Sequence, residues 1–140
     1  GGTAVDVDGS SYEVGPPLGS RIDTFVAIAG ANLGLQDCLG SPFPACSDTV
    51  GLYPGELEDG EVKSRSKLLD ELNASPGYEA SFRHSIWTDT DDVIKYGCQV
   101  HGQNTCQVPG ETSTHSLSDL DHLQARDETA ALQLQLVAPQ

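Results

Sequence analysis

Cations are scarce in this chain. Only 7 Lys and Arg stand against 21 Asp and Glu, for a formal net charge of −14 over 140 residues. The acids are scattered rather than blocked, so a nucleic-acid duplex or an anionic membrane would be repelled, and nucleic acid is excluded as a partner. Long apolar runs are also missing: nothing approaches the roughly 20 consecutive apolar residues that a membrane-spanning helix needs. No C-x-x-C pair occurs, which removes the usual scaffold of a structural zinc site. The opening "GGTAVDVDG" has neither an initiator Met nor a signal peptide, and it reads as the start of a piece of something longer.

What is present describes one loop-rich globular unit. Apolar residues make up 37% and charged residues 20%, with 15 Gly and 8 Pro spread along the chain. A compact domain of this length would bury about two-thirds of its unfolded surface. Cys38 and Cys46 enclose seven residues, as do Cys98 and Cys106, in "CLGSPFPAC" and "CQVHGQNTC". Local pairing would make two staples, each contributing roughly 2 to 3 kcal/mol by closing a short loop. That favours an oxidising compartment, and so secretion. Zinc is the rival use, with Cys98, His101, Cys106 and His115 as ligands, but the spacing argues against it and no metal or other cofactor is expected. Asn73-Ala74-Ser75 is a glycosylation sequon consistent with secretion, followed by Pro76.

Residues 1 to 20 are rich in Gly, Pro and Ser and read as loop. "IDTFVAIAGA", 22 to 31, is a nearly continuous apolar run, the pattern of a strand covered on both faces of a parallel sheet. A long connection from 32 to 61 follows, a candidate lid or binding surface. "VKSRSKLLDELNA", 62 to 74, sets Leu68, Leu69 and Leu72 on one side of a helix, with Lys63, Arg65 and Lys67 on its wet face. "YEASFRHSIWT" is a second strand ending near Thr88, and "NTCQV", 104 to 108, a short third. In "DETAALQLQLVA" Leu132, Leu134 and Leu136 alternate as in a strand, while the Ala, Gln and Leu residues favour helix, and the segment's length decides for helix. The fold class is therefore α/β, about three parallel strands with flanking helices and long loops, with ligand sites expected beyond the carboxyl ends of the strands.

"SIWTDTDDVI" runs from the second strand straight into Asp89, Asp91 and Asp92. Three acids after a strand can be a solvated turn. They can bind calcium, although the central Gly and twelfth-position Glu of an EF-hand loop are missing. They can also supply the acid of a catalytic triad, whose histidine would follow the next strand about thirty residues on, as in the order Ser, Asp, His. His122, in the loop "DLDHLQARD", and His115 both fit that position by spacing. His84 reads as a strand residue bonded locally, and His101 as exposed within the second cysteine loop.

Over most of its length the chain resembles the class 2 lipases, secreted α/β-hydrolases that act on acylglycerols and related esters. The resemblance is carried by "IDTFVAIAGANLGLQDC", "GLYPG", "SKLLDELN", "SIWTDTDDVI", "QVPGE" and "DHLQARDETAALQ" in that order and spacing. It implies that Asp91 is the triad acid, with Asp89 and Asp92 as neighbours, and that His122 rather than His115 is the base. The family's G-x-S-x-G serine elbow has no counterpart here. Ser11 comes closest, with Gly9 two residues before it but Glu13 two after. The resemblance thus implies that residues 1–140 are the C-terminal portion of an α/β-hydrolase domain, without the nucleophile-bearing N-terminal portion or the oxyanion hole. A lipid ester is the implied substrate, and an N-terminal segment or partner chain would complete the sheet. The alternative is a non-catalytic secreted structural or binding protein derived from a hydrolase.

Overall fold

The computed structural model describes residues 3–5, 8–13, 15–16 and 18–138. Strands β1 (Thr3–Val5) and β2 (Ser11–Glu13) pair antiparallel, so the first twenty residues are not all loop. Strand β3 (Thr24–Ile28) takes the centre of the apolar run, whose aromatic and branched side chains suit a pleated surface. The run leaves the strand at Ala29, where φ turns to 49°.

The helix expected over 62–74 is shorter, because its first residues belong to a hairpin. Strands β4 (Glu56–Glu58) and β5 (Glu61–Lys63) are joined by Asp59-Gly60, whose φ values of 51° and 82° are the pair of positive angles that a tight two-residue hairpin turn requires. Helix α1 (Lys67–Asn73) starts only after Ser66, whose Oγ accepts the Leu69 amide and donates to the Gly51 carbonyl. Lys63 and Arg65 therefore lie outside the helix.

Strand β6 (Phe82–Thr88) matches the expected second strand. The expected third strand at 104–108 does not exist as such. Strands β7 (Gln99–Val100) and β8 (Gln103–Asn104) form a small antiparallel ribbon inside the second cysteine loop, and the third strand of the main sheet is β9 (Ser113–Leu117). Its sequence "STHSL" lacks the apolar signal of a strand, because a sheet-edge position lets polar groups bond to neighbours and water. Helices α2 (His122–Asp127) and α3 (Ala130–Val137) follow.

The main sheet is parallel, in the order β3-β6-β9, with helices beside it: an α/β fold. Thr88 pairs with Leu117, so the loops that leave the carboxyl ends of β6 and β9 start side by side. Among the described residues β3 has a strand neighbour on one side only, and Ile22 just before it and Phe25 within it remain exposed.

Ile86 at the middle of the sheet is fully buried, as are Leu69 of α1 and Ala125 of α2. Ser85 Oγ accepts the Val108 amide at 2.9 Å, which holds the segment before β9 against β6. Both cysteine pairs are closed as disulfides, Cys38–Cys46 and Cys98–Cys106, so the second pair has no thiolates left for zinc. Cys98 and Cys106 pack with Ile94 under Trp87 and Leu35. Buried Thr105 bridges this disulfide to the loop after β3: its Oγ1 donates to the Gly34 carbonyl and accepts the Leu33 amide. Among the described residues no helix is long and apolar enough to cross a membrane, and no group of three or more His, Cys, Asp or Glu could hold a metal ion.

Candidate active site

The end of β6 sets the first half of the site. After Thr88 the chain turns through Asp89 and Thr90, and the Asp91 side chain points inward, with no exposed surface. A buried carboxylate has to be matched by donors. Asp91 Oδ1 accepts two backbone amides, Val93 at 2.9 Å and Ile94 at 2.6 Å. Oδ2 is left for one more donor.

That donor comes from the loop after β9. His122 Nδ1 lies 2.8 Å from Asp91 Oδ2, and with the carboxylate ionised the ring carries its proton on Nδ1 to make this bond. His122 is not in a loop, as its sequence suggests, but is the first residue of α2. Asp121 caps that helix, accepting the Gln124 amide at 2.8 Å while the Gln124 side chain accepts the Asp121 amide at 2.8 Å. The pattern Asp-x-x-Gln before an apolar turn is a helix-start signature, and it would have located the helix. The His122 ring is 27% exposed by its side chain, so it rests on a buried acid and opens to the surface. Among the described residues no group hydrogen-bonds its Nε2.

Asp92 makes a separate contact. Its Oδ1 accepts the His122 backbone amide at 3.0 Å, and that bond, more than any other, holds its carboxyl below the ordinary carboxylate range. A depressed folded value means the bond contributes at neutral pH, is fully present above the ordinary Asp range, and is lost as pH falls through the folded value. Acidification below the usual carboxylate range is therefore expected to release the amide. An NMR titration should show the His122 amide proton shifting with a midpoint below that range, and no such step in Asp92→Asn.

The other sequence-selected residues lie elsewhere. Asp89 is exposed. His115 Nε2 is 3.0 Å from Ser113 Oγ, which is also 2.7 Å from His84 Nδ1, so these three form their own chain on one face of the sheet, and Asp91 is bonded to His122 and not to His115. His101 is half-buried and donates through Nε2 to the Gly55 carbonyl. Ser11 sits exposed on β2, not in an elbow. Asn73 Nδ2, the atom a glycan would occupy, donates to the carbonyls of Asn32 and Leu69 at 2.8 and 2.7 Å, so modification there has to break both bonds. Thr88, Thr90 and Leu120, which join the two loops of the site, carry no signal in the sequence that marks them.

An open cleft of about 580 Å³ lies between the two disulfide loops, with Asp37, Tyr96 and His101 on its walls, and includes neither Asp91 nor His122. Asp37 there binds Lys95 and Tyr96, and these bonds hold its carboxyl below the ordinary range. The buried acid and the half-open imidazole thus lie apart from this cleft.

The geometry alone does not say which family carries this sheet and acid-histidine pair, and the match to known families does. The family described as lipase (class 2) matches residues 1–135. The chain belongs to the class 2 lipases. Lipase-type hydrolase function accompanies that membership, and the acid-histidine pair lies within the matched region of this class 2 lipase chain. No curated protein and no solved structure matches it.

Proposed function

We propose that Asp91 and His122 are the acid and the base of a Ser-His-Asp triad that hydrolyses lipid esters such as acylglycerols, with the nucleophilic serine and oxyanion hole contributed from outside residues 1–140. The observation that carries this reading is the 2.8 Å bond from His122 Nδ1 to a carboxylate whose other oxygen is held by two backbone amides. A carboxylate so anchored fixes the tautomer, leaving Nε2 with the lone pair that accepts a serine proton. It also stabilises the imidazolium that forms as the serine attacks the ester carbonyl. His122 then returns the proton to the departing alkoxide, and water removes the acyl group in a second, mirrored step.

The single-sided neighbourhood of β3 supports a preceding part of the sheet pairing there, from an N-terminal segment or a partner chain. Two closed disulfides support secretion. The test is fluorophosphonate labelling of intact protein that contains this chain. The expected result is one modified serine, upstream of Gly1 or on a partner, with labelling lost in His122→Ala. Well-folded protein that takes up no label would favour a non-catalytic structural or binding role instead.

A further inference from the structure

The Asp91–His122 bond joins two separate loops, so something has to hold their spacing. We propose that Thr88 and Thr90 are positioning residues that set His122 by gripping the backbone two residues before it. This rests on the reading of His122 as the base. Thr88 Oγ1 and Thr90 Oγ1 each lie 2.9 Å from the Leu120 carbonyl oxygen. They are also 3.0 Å from one another. Each hydroxyl has one proton, and a carbonyl oxygen has two lone pairs, so both protons can be spent on Leu120. Thr88 Oγ1 also accepts the Thr90 amide at 3.3 Å, which ties it further into the turn.

Two further observations indicate that this grip bears a load. Thr88 is fully buried, so its hydroxyl has no water to fall back on and needs a protein partner. Asp119, one residue before Leu120, has φ of 62°. Asp tolerates that left-handed turn better than most residues do, but it leaves the turn dependent on neighbouring contacts for its exact course. The fork on Leu120 is such a contact, next to Asp119 and on the path to His122. Releasing it lets the turn relax and carries the imidazole off Asp91 Oδ2. Misplacement of a reacting group by about 1 Å costs on the order of 10²-fold in rate.

The test compares Thr88→Val/Thr90→Val with Thr88→Ser/Thr90→Ser in the complete enzyme that contains this chain. The valines keep the shape and delete both hydroxyls; the serines keep the hydroxyls. The valine pair is expected to lower kcat by about 10²-fold with KM little changed, since the substrate is still held and only the base has moved. The serine pair should stay near wild type. Wild-type kcat in a folded valine pair would overturn the proposal, and so would an equal loss in both pairs, which would make the role one of packing. If the valine pair does not fold, Thr90→Val alone serves, because Thr90 is exposed. A partial fall in kcat supports the grip, and unchanged kcat overturns it. His122→Ala in parallel separates the two readings: retained turnover there ends the assignment of the base whatever the threonines do.

Discussion

Asp91→Asn should lower the turnover of the complete enzyme by about 10⁴-fold, the loss expected when a catalytic imidazole is held in the wrong tautomer. The geometry gives the reason. Asp91 Oδ1 is committed to the Val93 and Ile94 amides, and an Asn placed there keeps that acceptor by directing its carbonyl oxygen at them. Its NH₂ group then replaces Oδ2 and faces His122 Nδ1. Two donors cannot bond, so the ring moves its proton to Nε2 and becomes unable to take one from a serine. Asp92→Asn is the matched control, because its oxygen can still accept the His122 backbone amide, and its turnover should stay close to wild type. Steady-state kinetics on a soluble ester decides between them. Comparable rates for Asp91→Asn and wild type would remove Asp91 from the mechanism.

Replacing Cys98 and Cys106 together by Ala should lower the unfolding free energy by about 2.5 kcal/mol from loop-closure entropy alone. A further loss comes from packing, because both sulfurs are buried against Ile94 beneath Trp87 and Leu35. In a domain of this size that total is roughly 10 °C in Tm. The Cys38–Cys46 loop has the same sequence separation of 8, but Cys46 is only half-buried, so its removal should lower Tm less. The second disulfide also bears on the site, since Ile94 packs on it and the Ile94 amide holds Asp91 Oδ1. Loss of Cys98–Cys106 should therefore reduce activity below the melting transition, whereas loss of Cys38–Cys46 should not. Reversible thermal unfolding of both variants checks the order, and equal Tm shifts would contradict it.

Two strands were legible from side-chain pattern. The apolar run at 22–31 contains β3, and the alternation of Phe82, His84 and Ile86 in "FRHSIWT" marks β6. The α/β class followed from them. What failed to show was held in place by polar contacts. Strand β9 carries Ser, Thr and His, and its pairing is fixed by the backbone ladder to β6 and by contacts such as Ser113 with His84. The hairpin on Asp59-Gly60 did have a local signal, the turn dipeptide within "ELEDGEVK", and the neighbouring leucines of α1 masked it. For the site, spacing left His115 and His122 equal as partners of an acid near 91. The order of strands and the register that sets Thr88 beside Leu117 bring the loop after β9 onto the loop after β6, and the Asp121–Gln124 cap presents His122 from the first position of α2. Contacts between two loops about thirty residues apart, such as the hydroxyls of Thr88 and Thr90 on Leu120, leave no periodic trace in a sequence.

The most direct measurement is proton NMR of the His122 ring in folded, selectively labelled protein. A slowly exchanging Nδ1 proton, shifted far downfield, is predicted for the wild type and for Asp92→Asn, and it should vanish in Asp91→Asn. A wild-type ring that carries its proton on Nε2, with no protected proton at Nδ1, would contradict the account.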